Sequence, residues 1–304
     1  MKSVKIVEVG LRDGLQNETT MLSVDQRLVL LKKLIEAGVT HFEIGAFVSP
    51  EWVPQMSVTA DLIGKYYSSS VYNKKFSASV LVPNEKGMRL AIEAGVKEVA
   101  IFASCSETFS KKNINCTIDE SFERFKPVIA LAKKHKIKVR GYLSTCFSCP
   151  FEGAISQKKV IAIARRMFKL GVYEVSIGDT IGAAHVGEVR TLFSKLKKAI
   201  PIKNLAGHFH DTRGQALANI LAAYDLGVRT FDTSLGGLGG CPYAPGASGN
   251  VATEDVVYMF EGMKVKTGLK LDKLVELNQW LQPLMNHSLP SKVGRVGRLK
   301  PLKK

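Results

Sequence analysis

Two histidines stand two residues apart in Gly207-His208-Phe209-His210-Asp211, inside a run with strand character. Side chains at i and i+2 of a strand leave the same face, so both imidazoles can reach one point. A lone strand histidine is ordinarily a packed core residue. A pair at this spacing, with a carboxylate to join it, points to a metal site. Asp13, in Arg12-Asp13-Gly14 after the first strand-like run, can supply that carboxylate, and Asn250 an amide oxygen. Two imidazoles with oxygen donors suit an octahedral divalent cation such as Mg²⁺ or Mn²⁺. Zinc is a poorer match, because no cluster of thiolates joins them.

Asn250 closes a second chemical feature, residues 236–250, reading GGLGGCPYAPGASGN. Six of these fifteen residues are glycine, which frees the backbone for left-handed angles and close approach to a ligand. Pro242 and Pro245 stiffen what the glycines loosen. Such a segment suits an active-site lid, and Cys241 in its middle has an accessible thiol that can move toward a substrate. The other cysteines read as structural. Cys146-Phe147-Ser148-Cys149 is a CxxC without a second such motif, and Cys105 and Cys116 have no partner pattern. Five cysteines without a framework suit a reducing compartment.

These residues need elements to position them, and strand-like and helix-like runs alternate along the chain. Strands are expected at residues 4–9, 40–46, 76–82, 98–103, 138–145, 173–177, 205–210 and 230–234. Helices are expected at 23–37, with Ser23 as N-cap, then at 58–66, 84–95, 119–135, 156–170, 187–200 and 214–226, and from about Thr253. Residues 104–117 read as a long loop. The phrases EAGVTHFEI, EAGVKEVAI, KLGVYEVSI and DLGVRTFDT each combine a helix end, a glycine C-cap and the start of a strand. Roughly eight such βα units predict an α/β TIM (β/α)8 barrel. A doubly wound open sheet is disfavoured, because no GxGxxG follows the first strand and polar residues follow many different strands. In a barrel the chemistry sits at the C-terminal strand ends. There the sequence places Arg12, Asp13, Glu43, Asp179, His208 and His210. The barrel is expected over residues 1–264. Residues 265–304 add a helix at 271–286, packed outside the barrel, and a basic tail.

The chain has 304 residues, 45% hydrophobic and 23% charged, ample for a large core. No apolar run reaches the ~20 residues that span a bilayer, so no membrane association is expected. The first residues lead straight into a strand pattern without a leader, which predicts a cytoplasmic protein. The net charge of +16 is compatible with an anionic partner. The tail carries Lys292, Arg295, Arg298, Lys300, Lys303 and Lys304 and reads as a mobile, solubilising end. No aromatic residues interleave with its charges, so a nucleic-acid partner is not expected.

VEVGLRDGLQNE, FVSPEWVPQM, KKNINC, SIGDTIG, HFHDTRGQALAN and the glycine-rich segment together resemble the 3-hydroxy-3-methylglutaryl-CoA lyases of the DRE-TIM metallolyase group. The likeness runs through at least Gly262. It implies a barrel enzyme that cleaves (S)-3-hydroxy-3-methylglutaryl-CoA to acetoacetate and acetyl-CoA by a metal-assisted retro-Claisen step. By that resemblance Asp13, His208, His210 and Asn250 would hold one Mg²⁺ or Mn²⁺, and Arg12 would lie against the thioester carbonyl. Cys241 would be a catalytic thiol, and Glu43 and Asp179 would support the site. His208 would shuttle the hydroxyl proton, with Asp13 as the alternative. Lys111 and Lys112 would contact CoA phosphates, and the enzyme would be a homodimer. The rival readings are a lyase for a related 3-hydroxyacyl-CoA and a condensing synthase of the same group. Synthases normally carry an added C-terminal region and lack the Cys241 segment.

Overall fold

Eight parallel strands close into a barrel in the computed structural model, which describes residues 2–69, 75–240 and 249–299. In chain order the strands are β1 (Lys5–Glu8), β2 (His41–Ala46), β3 (Ser77–Leu81), β4 (Glu98–Ser104), β5 (Lys138–Ser144), β6 (Ser148–Cys149), β7 (Gly153–Ala154), β8 (Val175–Asp179), β9 (Leu205–Phe209) and β10 (Thr230–Thr233). The short pair β6–β7 is an antiparallel hairpin outside the barrel. The remaining strands run β1-β10-β9-β8-β5-β4-β3-β2, and the β1–β2 pairing of Glu8 with Phe42 closes the ring. The expected TIM barrel is therefore the observed fold.

The helices are α1 (Val24–Glu36), α2 (Thr59–Tyr67), α3 (Glu85–Glu93), α4 (Glu107–Ile114), α5 (Ile118–Lys134), α6 (Gln157–Leu170), α7 (Val186–Leu196), α8 (Ala216–Asp225), α9 (Thr253–Gly262), α10 (Leu271–Leu281) and α11 (Lys292–Val296). Local chemistry sets their ends. Ser23 caps α1 in a reciprocal box with Gln26, and Thr117 does the same for α5 with Glu120. The glycine of each repeat phrase has positive φ, as at Gly171 (109°) and Gly227 (108°), which turns the chain from helix to strand. Among the described residues, no helix is long and apolar enough to cross a membrane.

Alternation along β5 shows how the barrel sorts its side chains. Gly141 lies against α6, where a Cβ would meet Met167 Cγ at 2.8 Å. Its neighbours Arg140 and Tyr142 point the other way, into the barrel, where both are buried. The interior of this barrel is polar, and the apolar core fills the layer between strands and helices.

Two segments differ from the sequence reading. Residues 104–117, expected as loop, contain α4. Ser106 accepts a hydrogen bond from Phe109 N at its start, and Asn115 ends it in the left-handed conformation (φ 49°). Eight residues give too short an apolar pattern to stand out. The tail, expected to be mobile, is docked as far as Arg298. Asp255 accepts from Ser291 Oγ at 2.9 Å and Val293 N at 2.7 Å, and Arg298 pairs with Asp272 and Glu261 at 2.7 and 2.8 Å. Lys300, Lys303 and Lys304 lie outside the described residues.

Candidate active site and cation centre

Arg12 and Asp13 sit on one π-helical turn, Gly10–Gly14, directly after β1. Such turns recur at functional sites because they re-aim side chains at the end of a regular element. Both flanking glycines sit close against neighbouring side chains. A Cβ on Gly10 would meet Glu8 Oε1 at 2.6 Å, and one on Gly14 would meet Ser234 Oγ at 2.7 Å.

Arg12 is buried and held from two sides. Its Nε donates to Glu43 Oε2 at 2.5 Å and its Nη1 to Asp13 Oδ1 at 2.5 Å. The guanidinium also lies over the Tyr142 ring, 5.4 Å from the centroid. Burial opposes its charge, but Glu43 and Asp13 outweigh that and keep it protonated. Glu43 feels the reverse balance: burial pushes its carboxyl up, and Arg12 only partly offsets this. Glu43 Oε1 is buried without a hydrogen-bond partner.

Asp13 is where the sequence-predicted ligands meet. Its Oδ1 accepts from Arg12 and, at 3.0 Å, from Gln16 Nε2. Its Oδ2 accepts from Asn250 Nδ2 at 2.8 Å. His208 Nε2 and His210 Nε2 lie 3.8 and 3.9 Å from the same oxygen, too far to be good hydrogen bonds. The backbone enforces this meeting, because His210 and Asn250 are paired directly across an isolated bridge. Burial raises the Asp13 carboxyl, but Arg12, His208 and His210 more than reverse it and hold the group well below the usual range. Burial and His208 push His210 down to about 4, so it is a neutral imidazole at pH 7.

Asp13, His208 and His210 each present a ligand atom within 4.8 Å of the others, and all three are buried. A carboxylate and two imidazole nitrogens converge without satisfying one another. That donor set fits a hard or borderline divalent ion. Asn250 reaches the same carboxylate through its Nδ2, which also donates to Leu238 O at 3.1 Å.

The other expected residues fall in different places. Asp179 is buried but turned away. Its carboxylate accepts from Ala183 N and Ala184 N, both at 3.0 Å, and so folds the turn after β8. Burial lifts it to about 6. Lys111 and Lys112 are exposed on α4, where Lys112 Nζ sits 4.4 Å from the Phe151 ring centroid. Cys241 lies outside the described residues. The described ends of its segment meet at Gly239 and Gly249, where a Cβ on Gly249 would strike Gly239 O.

A cavity of about 450 Å³ opens over Arg12, Asp13, His208 and His210 and reaches Gly240. Its polar wall adds Asn84, Ser144, Ser176, Thr180 and Tyr142, and its apolar wall includes Val48, Trp52, Leu81, Phe102 and Phe125. At the mouth stand Asn113, Asn115 and Arg124 rather than Lys111 and Lys112. The sequence reading missed Tyr142, Arg140 and Asp232. The signal available was polarity inside strands: Arg140 and Tyr142 are two apart, as the histidines are, and Asp232 interrupts an otherwise uncharged strand.

The fold and this site define a TIM-barrel enzyme with a candidate divalent-cation centre at the C-terminal face. The HMGL-like family model matches residues 3–281, and the chain belongs to that family. A hydroxymethylglutaryl-CoA lyase of Pseudomonas mevalonii is 49% identical over 97% of this chain and 96% of its own length. The mitochondrial hydroxymethylglutaryl-CoA lyase of Homo sapiens is 47% identical over 97% of this chain and 90% of its own. Among solved structures, the hydroxymethylglutaryl-CoA lyase of Pseudomonas aeruginosa superposes with a TM-score of 0.93 at 45% identity, covering 97% of both chains. An HMG-CoA lyase of Acinetobacter baumannii, in complex with coenzyme A and 3-methylmalate, also has a TM-score of 0.93, at 37% identity, covering 99% of this chain and 97% of that one.

Proposed function

We propose that this chain cleaves (S)-3-hydroxy-3-methylglutaryl-CoA to acetoacetate and acetyl-CoA. The observation that carries the reading is the convergence of Asp13, His208 and His210 beside a buried, doubly held Arg12 in an open cavity. Asp13, His208, His210 and Asn250 would hold Mg²⁺ or Mn²⁺. A bound divalent ion lowers the pKa of a coordinated hydroxyl and orients it.

The residues divide the rest of the chemistry. Breaking the C2–C3 bond places negative charge on the thioester oxygen of the departing acetyl-CoA enolate. Arg12 supplies fixed positive charge there, aimed by Glu43 and Asp13 before substrate arrives. The hydroxyl proton goes to a group facing it at the cation centre, His208 or, as the alternative, Asp13. Cys241 delivers a proton to the enolate carbon, and its glycine-rich segment excludes water during the reaction. Glu43 and Asp179 act through others: Glu43 fixes Arg12, and Asp179 folds the turn after β8. Lys111 and Lys112 attract the CoA phosphates by charge. The active species is a homodimer in the cytoplasm.

A second acyl group has support from the cavity's apolar wall. A relative from Pseudomonas aeruginosa, 45% identical, is a 3-hydroxy-3-isohexenylglutaryl-CoA/hydroxy-methylglutaryl-CoA lyase. Release of acetyl-CoA from each of these two thioesters by the purified enzyme tests the reading. A higher kcat/KM for the methyl substrate is expected. A preference for the isohexenyl substrate would move the assignment to the longer side chain. Turnover of neither, with condensation of acetyl-CoA instead, would move it to a synthase.

A further inference from the structure

His208 and His210 look alike in the sequence but are held differently. His210 Nδ1 is buried with no hydrogen-bond partner. His208 Nδ1 lies 3.3 Å from Asp232 Oδ2, and Asp232 is buried on β10, beside β9. Asp232 is itself fixed. Ser176 Oγ donates to its Oδ2 at 2.6 Å, and Arg140 Nη1 forms an ion pair with its Oδ1 at 2.8 Å. Arg140 is anchored in turn by Glu174 through Nε at 2.9 Å.

We propose that Asp232 is a positioning residue for the cation centre: it holds the His208 proton on Nδ1 and thereby keeps the Nε2 lone pair directed at Asp13 and the ion. The inference rests on reading Asp13, His208 and His210 as that centre. A carboxylate accepts only, so a neutral imidazole facing it must present Nδ1–H. The other nitrogen, 3.8 Å from Asp13 Oδ2, is then unprotonated and free to ligate. Outer carboxylates of this kind fix both tautomer and ring orientation.

The surroundings make one substitution diagnostic. In Asp232→Asn the amide must place its oxygen toward Arg140, because a guanidinium offers donors alone. Its NH₂ then faces His208 Nδ1 as a donor, which stabilises the Nε2–H tautomer and removes the ligating lone pair. The size and shape of the side chain stay nearly the same. The same inversion accounts for the loss seen when a triad aspartate becomes asparagine.

The test is a Mn²⁺ titration of full-length wild type and Asp232→Asn, followed by the EPR signal of free Mn²⁺, with circular dichroism to check folding. Mn²⁺ affinity about 10- to 100-fold weaker in the folded variant is expected. Affinity within two-fold of wild type would overturn the proposal while leaving the cation centre intact. A wild type that binds no Mn²⁺ would overturn the centre and this inference with it. Should Asp232→Asn fail to fold, long-range ¹⁵N correlation on metal-free wild type decides, at a pH where the ring is neutral and with His208→Asn for assignment. A His208 proton on Nδ1 supports the proposal, and one on Nε2 overturns it.

Discussion

The barrel buries charge at both ends, and the two ends are built on different terms. At the floor, where the strands begin, Glu174 is held by Lys5 at 3.1 Å and Arg140 at 2.9 Å, and Tyr173 donates to Glu98 at 2.5 Å. Each carboxylate there has a cation or a donor in contact, and Arg140 stacks over Tyr142, 4.9 Å from its centroid. At the mouth, Glu43 Oε1 and His210 Nδ1 are buried without partners, and two imidazoles face one carboxylate oxygen at 3.8 and 3.9 Å. Arg140 Nη2 and Asp232 Oδ1 also lack a hydrogen bond, yet both belong to groups joined in a buried ion pair at 2.8 Å. Buried polar groups that satisfy one another hold a structure. Groups that converge and remain unsatisfied are prepared for a ligand. Asp232 joins the two systems, with one oxygen toward Arg140 and the other toward His208.

Substitutions at the two ends should therefore separate activity from stability. The largest effect is expected at the mouth. Arg12→Lys removes the planar fork that meets Glu43 and Asp13 at once, and an ammonium cannot reproduce it. Steady-state kinetics should show kcat lower by on the order of 10²–10³, as for loss of an oxyanion donor, with KM changed far less. A kcat close to wild type would remove Arg12 from the chemistry. The floor should behave in the opposite way. Glu174→Gln leaves Arg140 and Lys5 short of a buried counter-charge, and urea unfolding should show a loss of about 3 kcal/mol. Unchanged stability would mean that the floor is not the structural half of the pair.

A third contrast uses pH. Glu8 and Glu254 are buried near the β1 end and the Leu235–Gly236 backbone, where burial raises them to about 7 and about 8. Their partners are neutral donors: Thr253 Oγ1, Asn278 Nδ2 and backbone N–H groups. A carboxyl with a raised folded pKa binds its proton more tightly folded than unfolded. Its contribution to stability is present below the unfolded value near 4.5 and is lost as pH rises through the folded value. The urea midpoint should accordingly fall between pH 5 and pH 8.5, and Glu254→Gln should flatten that slope. A midpoint that rises across this window would contradict the assignment. The smallest effect belongs to the rim. Lys111→Ala with Lys112→Ala should leave kcat unchanged and raise KM by about two- to five-fold at low salt, an effect that added salt erases.

Much of this was legible in the sequence, for identifiable reasons. The barrel followed from glycine C-caps recurring between helix and strand patterns, since those glycines adopt angles other residues avoid. The His208–His210 pair followed from strand periodicity, and Asp13 from its place after β1. Long-range partners were not legible. Asp232 meets His208 because β9 and β10 are neighbours in register, with Asp232 opposite His208. Arg140 reaches Asp232 across the barrel interior, a contact that no local spacing encodes. The expected support from Asp179 was placed at the correct strand end, but its carboxylate accepts from the backbone of Ala183 and Ala184 in the turn after β8. Strand-end position gives the neighbourhood of a side chain and leaves its partner to the loop conformation.

Metal-dependent cleavage at the mouth is what the convergence of Asp13, His208 and His210 implies most directly. The decisive measurement is release of acetoacetate and acetyl-CoA from HMG-CoA by enzyme stripped with a chelator and then titrated with Mg²⁺ or Mn²⁺. Both products in equal amounts, absent after stripping and restored by either cation, are the predicted result. Undiminished turnover in the stripped enzyme, or no turnover by folded protein shown to have bound its cation, would contradict it.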